Sequence, residues 1–310
     1  MDGSSLSEVV TYFEADNVDV TPFYFWNMGP VLTIHRNKVF LSYELRNRNN
    51  YELGMNGTAI YDLETGELTY LGEKDRGLKE RDINFMGCGD YMYFATAQKY
   101  KTKLYRYSYA DGSVEMMDLE RNFKGTYTLY DENTIFYVRG NKDLFRYKND
   151  TKENVPIDTK RWNGFVLKTV NEFGEGMIVA EHQYINSIIS DGEYVYIPEN
   201  FRNDGHGYPR WQILLDQEAD GSFDEITKDY IEVAILDVYG NCINQVEVSS
   251  KELLGYNECF TLHFTEDMVY MQTPVMVYEC NKADFISGNA NFKEAYPLDI
   301  GIYSVKEEEQ

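Results

Sequence analysis

Apolar and polar residues alternate with a period of two along most of this chain, and the alternation is interrupted at short intervals by Gly, Asn or Asp. That rhythm belongs to half-buried strands joined by tight turns, because an amphipathic helix would space its apolar residues three and four apart. β-branched and aromatic residues fill the apolar positions, as a pleated, packed surface requires. One stretch shows the pattern in full: strands over 82–86, 91–95, 104–109 and 114–117, with Asp111-Gly112 between the last two.

The same cycle recurs five times. Second strands align at Val39-Phe40, Met92-Tyr93, Ile135-Phe136, Val195-Tyr196 and Val269-Tyr270, at spacings of roughly 43 to 74 residues. Such spacings bracket the period of four-stranded propeller blades, the longer ones reflecting insertions. A polar or Gly-containing turn precedes each: Arg36-Asn37-Lys38, Gly89-Asp90, Asp131-Glu132-Asn133, Asp191-Gly192 and Glu266-Asp267. Third strands over 59–63, 104–109, 144–147, 233–237 and 275–278 follow. The first four pass through Thr65-Gly66, Asp111-Gly112, Asn149-Asp150 and Gly240-Asn241 into fourth strands. Gly and Asn supply the positive φ that tight hairpins demand.

The pattern therefore predicts an all-β chain, one β-propeller domain over 1–310 built of four-stranded antiparallel blades. The five clear repeats fall at about 29–72, 82–119, 126–158, 184–248 and 258–299, the fourth carrying an insertion over 200–231. A radial arrangement hides strand edges that an open stack would expose. Segments 9–28 and 160–183 do not fit the alignment and leave room for a degenerate sixth blade. Residues 164–170 with 176–182 read as an added hairpin, and 9–13 or 301–305 as a strand completing a blade begun at the other terminus.

Lys103-Leu104-Tyr105-Arg106-Tyr107 followed by Ala110-Asp111-Gly112-Ser113 resembles the L-Y-R-x-x-x-D-G-S signature of bacterial propeller repeats related to the low-density-lipoprotein-receptor-like and TolB-like propellers. Leu144-Phe145-Arg146-Tyr147 and residues 60–67 echo it. The Tyr-Trp-Thr-Asp motif of the receptor propellers is absent, so their ligand-binding properties are not carried over. The resemblance implies an exported or lipid-anchored protein of the bacterial cell surface.

Composition narrows the partners. The 310 residues include 27 Tyr and carry a formal charge of −23. Such a surface repels nucleic-acid backbones and anionic lipid heads, which bind through Lys and Arg clusters. It suits solubility, and it attracts cations and basic partners. Cys88, Cys242, Cys259 and Cys280 form no C-x-x-C, which signals neither a zinc knuckle nor a redox pair, and buried free thiols are expected. No stretch has the length to span a bilayer, so no membrane insertion is expected. The Ser-rich, acidic start lacks a signal-peptide pattern. It also matches what a removed signal or lipid anchor would leave, giving an extracellular or envelope location with a cytoplasmic one as the alternative.

One cluster carries sharper chemistry. Asp216, Glu218, Asp220 and Asp224 occupy positions 1, 3, 5 and 9 of a run with Gly221 at 6 and Ser222 at 7. This resembles the D-x-D-x-D-G-x-x-D calcium loops of integrin-type propellers. Alternate carboxylates and the Ser222 carbonyl would supply oxygens to a structural Ca2+. Glu218 and Thr227 depart from the EF-hand version of the pattern. The histidines lie in no metal motif; His35 and His263 fall in or beside first strands, which line a propeller's channel, and are candidate ligand-binding residues. Tyr208 and Trp211 are added as aromatic platforms for a sugar face or a protein partner. No nucleophile elbow, phosphate loop or dinucleotide fingerprint occurs. The sequence thus points to a monomeric, non-catalytic propeller binding a protein or glycan at a bacterial surface. The alternatives are a glycan-active hydrolase using channel carboxylates and an intracellular scaffold, which leaves enzymatic activity undecided.

Overall fold

The computed structural model describes residues 18–22, 32–47, 53–71, 81–97, 102–140, 143–159, 167–170, 176–180, 185, 187–198, 213–217, 223–227, 230–249, 261–273 and 276–298. Strand β1 (Val18–Pro22) precedes the first blade, made of β2 (Leu32–His35), β3 (Lys38–Asn47), β4 (Leu53–Asp62) and β5 (Leu68–Leu71). Strand β2 pairs with the first residues of β3, and β1 with its far end, Tyr43 to Asn47. Blade 2 comprises β6 (Arg81–Cys88), β7 (Tyr91–Ala97), β8 (Thr102–Ser108) and β9 (Val114–Met116). Blade 3 comprises β10 (Phe123–Leu129), β11 (Thr134–Arg139), β12 (Asp143–Lys148) and β13 (Glu153–Ile157).

A hairpin of β14 (Leu167–Val170) and β15 (Gly176–Ala180) follows, where the sequence predicts one. Blade 4 contains β16 (Ile189–Ser190), β17 (Val195–Pro198), β20 (Tyr230–Leu236) and β21 (Cys242–Ser249). Its insertion holds a separate hairpin, β18 (Ile213–Gln217) with β19 (Phe223–Thr227). Blade 5 runs through β22 (Thr261–Phe264), β23 (Met268–Gln272), β24 (Met276–Asn281) and β25 (Lys293–Pro297). Within each blade the strands follow chain order and pair antiparallel, with β1 added to the first sheet on β3, so the chain is an all-β propeller with five four-stranded blades. The segments named above as candidate closing strands lie outside the described residues.

Burial explains why second strands are the clearest signal in the sequence. Met92 to Thr96, Thr134 to Val138 and Val195 to Pro198 are buried at every position. A strand covered on both faces reads as a continuous apolar run. Outer strands are less covered: β9 is exposed at all three positions, and β21 alternates, burying Val246 and Val248. Their edges pair with no further strand among the described residues, and the short length of β5, β9, β13 and β25 limits edge-to-edge association.

The chain divides into two compact units: 1–141 with 145–155, and 142–144 with 156–310. The first holds blades 1 and 2 and most of blade 3. Its blades pack through Phe40, Ile60, Phe85, Met92 and Phe94, and through Tyr93, Leu104, Phe123, Tyr127, Tyr137 and Tyr147. Bulges in β6 and β10 interlock these blades: Asn84, at φ 53, donates from Nδ2 to the Gly125 carbonyl at 2.9 Å, and the Tyr127 hydroxyl donates to the Asn84 carbonyl. A bulge re-aims its strand locally. The second unit holds blades 4 and 5 around Tyr196, Val233, Ile235, Val246, Val269, Met271 and Phe285.

Blade 5 departs from the all-strand expectation. Helix α1 (Lys282–Ile286) replaces a tight turn between β24 and β25. Asn281 starts it by accepting from the Ala283 and Asp284 backbone N–H groups at 3.0 and 3.2 Å, an N-cap. Phe285 fixes it in place by burying its ring against Tyr196 and Phe264. A helix of five residues is below the length at which periodicity is legible. Cys88, Cys242 and Cys280 are free thiols; Cys259 lies outside the described residues.

Candidate functional site

In the second unit, turns of two blades and the start of α1 enclose an open cleft of about 410 Å³. Blade 4 contributes Glu193 and Tyr194 from the β16–β17 turn. Blade 5 contributes Glu266 and Asp267 from the β22–β23 turn, and Asn281, Lys282, Ala283, Ile286 and Ser287 around α1. Sequence reading treats both turns as punctuation. The available signal is that acidic residues recur in the turn before the second strand in four of the five repeats, at Asp90, Asp131, Asp191 and Glu266.

Lys282 is buried in one wall. Its Nζ lies 2.6 Å from Asp191 Oδ2 and 3.3 Å from Glu193 Oε2. Asp191 is saturated: Oδ2 also accepts from the Tyr196 hydroxyl at 2.8 Å, and Oδ1 accepts from the Glu193 and Tyr194 backbone N–H groups at 2.9 and 2.7 Å. Burial pushes the Asp191 carboxyl up, but the Lys282 ammonium and the backbone and Tyr196 donors together hold it below the usual carboxylate range. Burial works against the Lys282 charge, and Asp191 and Glu193 outweigh it, raising the ammonium above its ordinary value. The Tyr196 phenol is raised by burial and by the charge of Asp191; its ring stacks on Phe264 at 3.8 Å. The Lys282 backbone N–H donates to the Asp267 carbonyl at 2.8 Å, tying α1 to the opposing turn. The wall is therefore rigid, and its ammonium is neutralised from within. Glu266 and Asp267 stand exposed at the mouth.

Of the sequence-derived site residues, His35 is half-buried between blades 1 and 2, its Nδ1 hydrogen-bonded to the Tyr109 hydroxyl at 2.9 Å. Burial, then the neighbouring Arg36 charge, lowers its pKa below 6.5. Tyr109 is raised by burial and then by Tyr107. Arg36 pairs with Asp90. His263 is exposed on β22, and its Nε2 donates to Gln272 Oε1 at 3.2 Å. His35 and His263 lie in different units, and neither lines the cleft. Asp216 and Asp224 are directly opposed in the β18–β19 register, so positions 1 and 9 of the acidic run sit on strands. Glu218, Asp220 and Ser222 lie outside the described residues, as do Tyr208 and Trp211. Among the described residues no group of three or more His, Cys, Asp or Glu is placed to hold a metal ion. No helix among them is long and apolar enough to cross a membrane.

No protein-family model and no curated protein matches the chain. Similar solved structures include a prolyl endopeptidase, at 12% identity and TM-score 0.45, covering 95% of this chain and 40% of the other. A chain of the nidogen/laminin complex shows 9% identity and TM-score 0.42, covering 84% and 75%. The β-propeller domain of the trilobed protease from Pyrococcus furiosus shows 10% identity and TM-score 0.42, covering 81% of each. This chain thus spans less than half the length of the prolyl endopeptidase. Scores at this level decide neither family nor activity.

Proposed function

We infer that this propeller is a binding protein whose partner is another protein, presenting a basic segment to the cleft between blades 4 and 5. One observation carries the reading: carboxylates from two blades, Glu193 on one side and Glu266 with Asp267 on the other, border an open cleft whose single ammonium is consumed by Asp191 and Glu193. A Lys or Arg side chain meets a net negative charge there, because one ammonium faces several carboxylates, with Tyr194, Ala283 and Ile286 to cover its aliphatic stem. The charge of −23 on the whole chain adds attraction at long range. Kinship with the bacterial propellers named above, and location at a cell surface, complete the proposal.

The test is calorimetric binding of a hexa-arginine peptide, with neutral oligosaccharides as the comparison. The pair of substitutions Glu266→Gln and Asp267→Asn weakens peptide binding by about tenfold, equivalent to ~1.4 kcal/mol. Peptide affinity indifferent to those substitutions, or selective uptake of a neutral glycan, would reverse the assignment. Glycan hydrolysis is a second reading, favoured by carboxylates reaching one cleft from separate blades, since such chemistry uses two flanking acids. Turnover lost in both Glu193→Gln and Glu266→Gln would establish it.

A further inference from the structure

The two carboxylates that hold Lys282 are unequal. Asp191 has a side chain 4% exposed and spends every remaining bond on Tyr196 and two backbone N–H groups. Glu193 has a side chain 63% exposed, stands 0.7 Å farther from Nζ than Asp191 (3.3 against 2.6 Å), and belongs to the cleft lining. A buried, fully bonded partner is held firmly, whereas a solvated ion pair exchanges readily. Lys282 is thus anchored by one buried acid and also occupies an exposed acid of the cleft lining.

We propose that the Lys282–Glu193 contact is autoinhibitory: an internal cation occupies part of the binding cleft, and a partner's basic side chain must take Glu193 from it. This rests on the reading of the cleft as a receptor for basic segments and adds how that receptor is held in check. The opposite arrangement, in which Lys282 merely positions Glu193 for the partner, predicts the reverse response to its removal.

Hexa-arginine binding separates them. Asp191→Asn combined with Lys282→Met removes the buried pair together, which avoids stranding either charge. This variant, its fold checked by thermal melting, binds the peptide about fivefold or more tightly than the parent, and the gain disappears when Glu193→Gln is added. Unchanged or weaker binding by the folded variant, or an equal gain without Glu193, overturns the proposal while leaving the receptor reading intact. Glu193→Gln alone gives a check that leaves the buried pair in place: it costs less affinity than Glu266→Gln, because Lys282 already offsets Glu193. An equal or larger cost overturns autoinhibition. Failure of parent and all variants to bind the peptide removes both readings together.

Discussion

At the residue scale, Asp191 and Lys282 contribute acid-sensitive stability. The Asp191 pKa is lower in the folded chain than in the unfolded one. Its contribution is therefore complete above the ordinary aspartate value of about 3.9 and is lost as pH falls through the depressed value. Lys282, raised on folding, contributes fully below its ordinary value and loses that contribution only as pH rises through the raised one. Urea midpoints followed by circular dichroism fall on acidification in the parent and fall less in the Asp191→Asn, Lys282→Met variant. Lys282→Ala alone strands the buried carboxylate and costs about 3–5 kcal/mol at neutral pH. Gly87 shows a different constraint: a Cβ there would meet His35 Cγ at 2.2 Å. Gly87→Ala displaces the imidazole, breaks its bond to Tyr109 and destabilises the chain by about 1–3 kcal/mol. A melting temperature equal to the parent's would contradict this. The sequence ends the first strand of this blade at Met86; the structure carries it on through Gly87, and packing shows which side chain occupies the space its missing Cβ leaves.

At the element scale, most strands were legible because each needs only its own alternation and its own turn. Arg36 and Asn37 turn with φ of 49° and 58°, and Gly112 with 70°, where polar and glycine positions predict hairpins. Helix α1 was not legible: its Asn281 cap is local, but five residues are too few for a periodicity, and Phe285 finds its anchor only on Tyr196 and Phe264 of other strands. The acidic run between β18 and β19 sits between these cases. Its ends are strand residues in cross-strand register, Asp216 opposite Asp224. Calcium at this hairpin is a proposal that calorimetry tests directly. Uptake at millimolar calcium or below, abolished by Asp216→Asn with Asp220→Asn, supports it, and heats indistinguishable from buffer at millimolar calcium refute it.

At the scale of the molecule, the formal charge of −23 sets how partners approach. Association with a basic partner is faster at low salt and slows by about tenfold or more towards 0.15 M ionic strength, where the Debye length is about 8 Å. Stopped-flow rates independent of salt would place recognition elsewhere than the acidic cleft. By itself the sequence determined most blade strands, the blade repeats, the added hairpin near 167–180 and the sign of the surface charge, because periodicity, turn chemistry and composition are properties of neighbouring residues. Only the tertiary structure brought Lys282 to Glu193, 89 residues away, and set Glu266 and Asp267 around the same cleft. Turns that repeat in every blade look alike along the chain. Which of them meet across a blade interface depends on how sheets stack, and there a buried carboxylate, an ammonium and a phenol find partners that alternation does not encode.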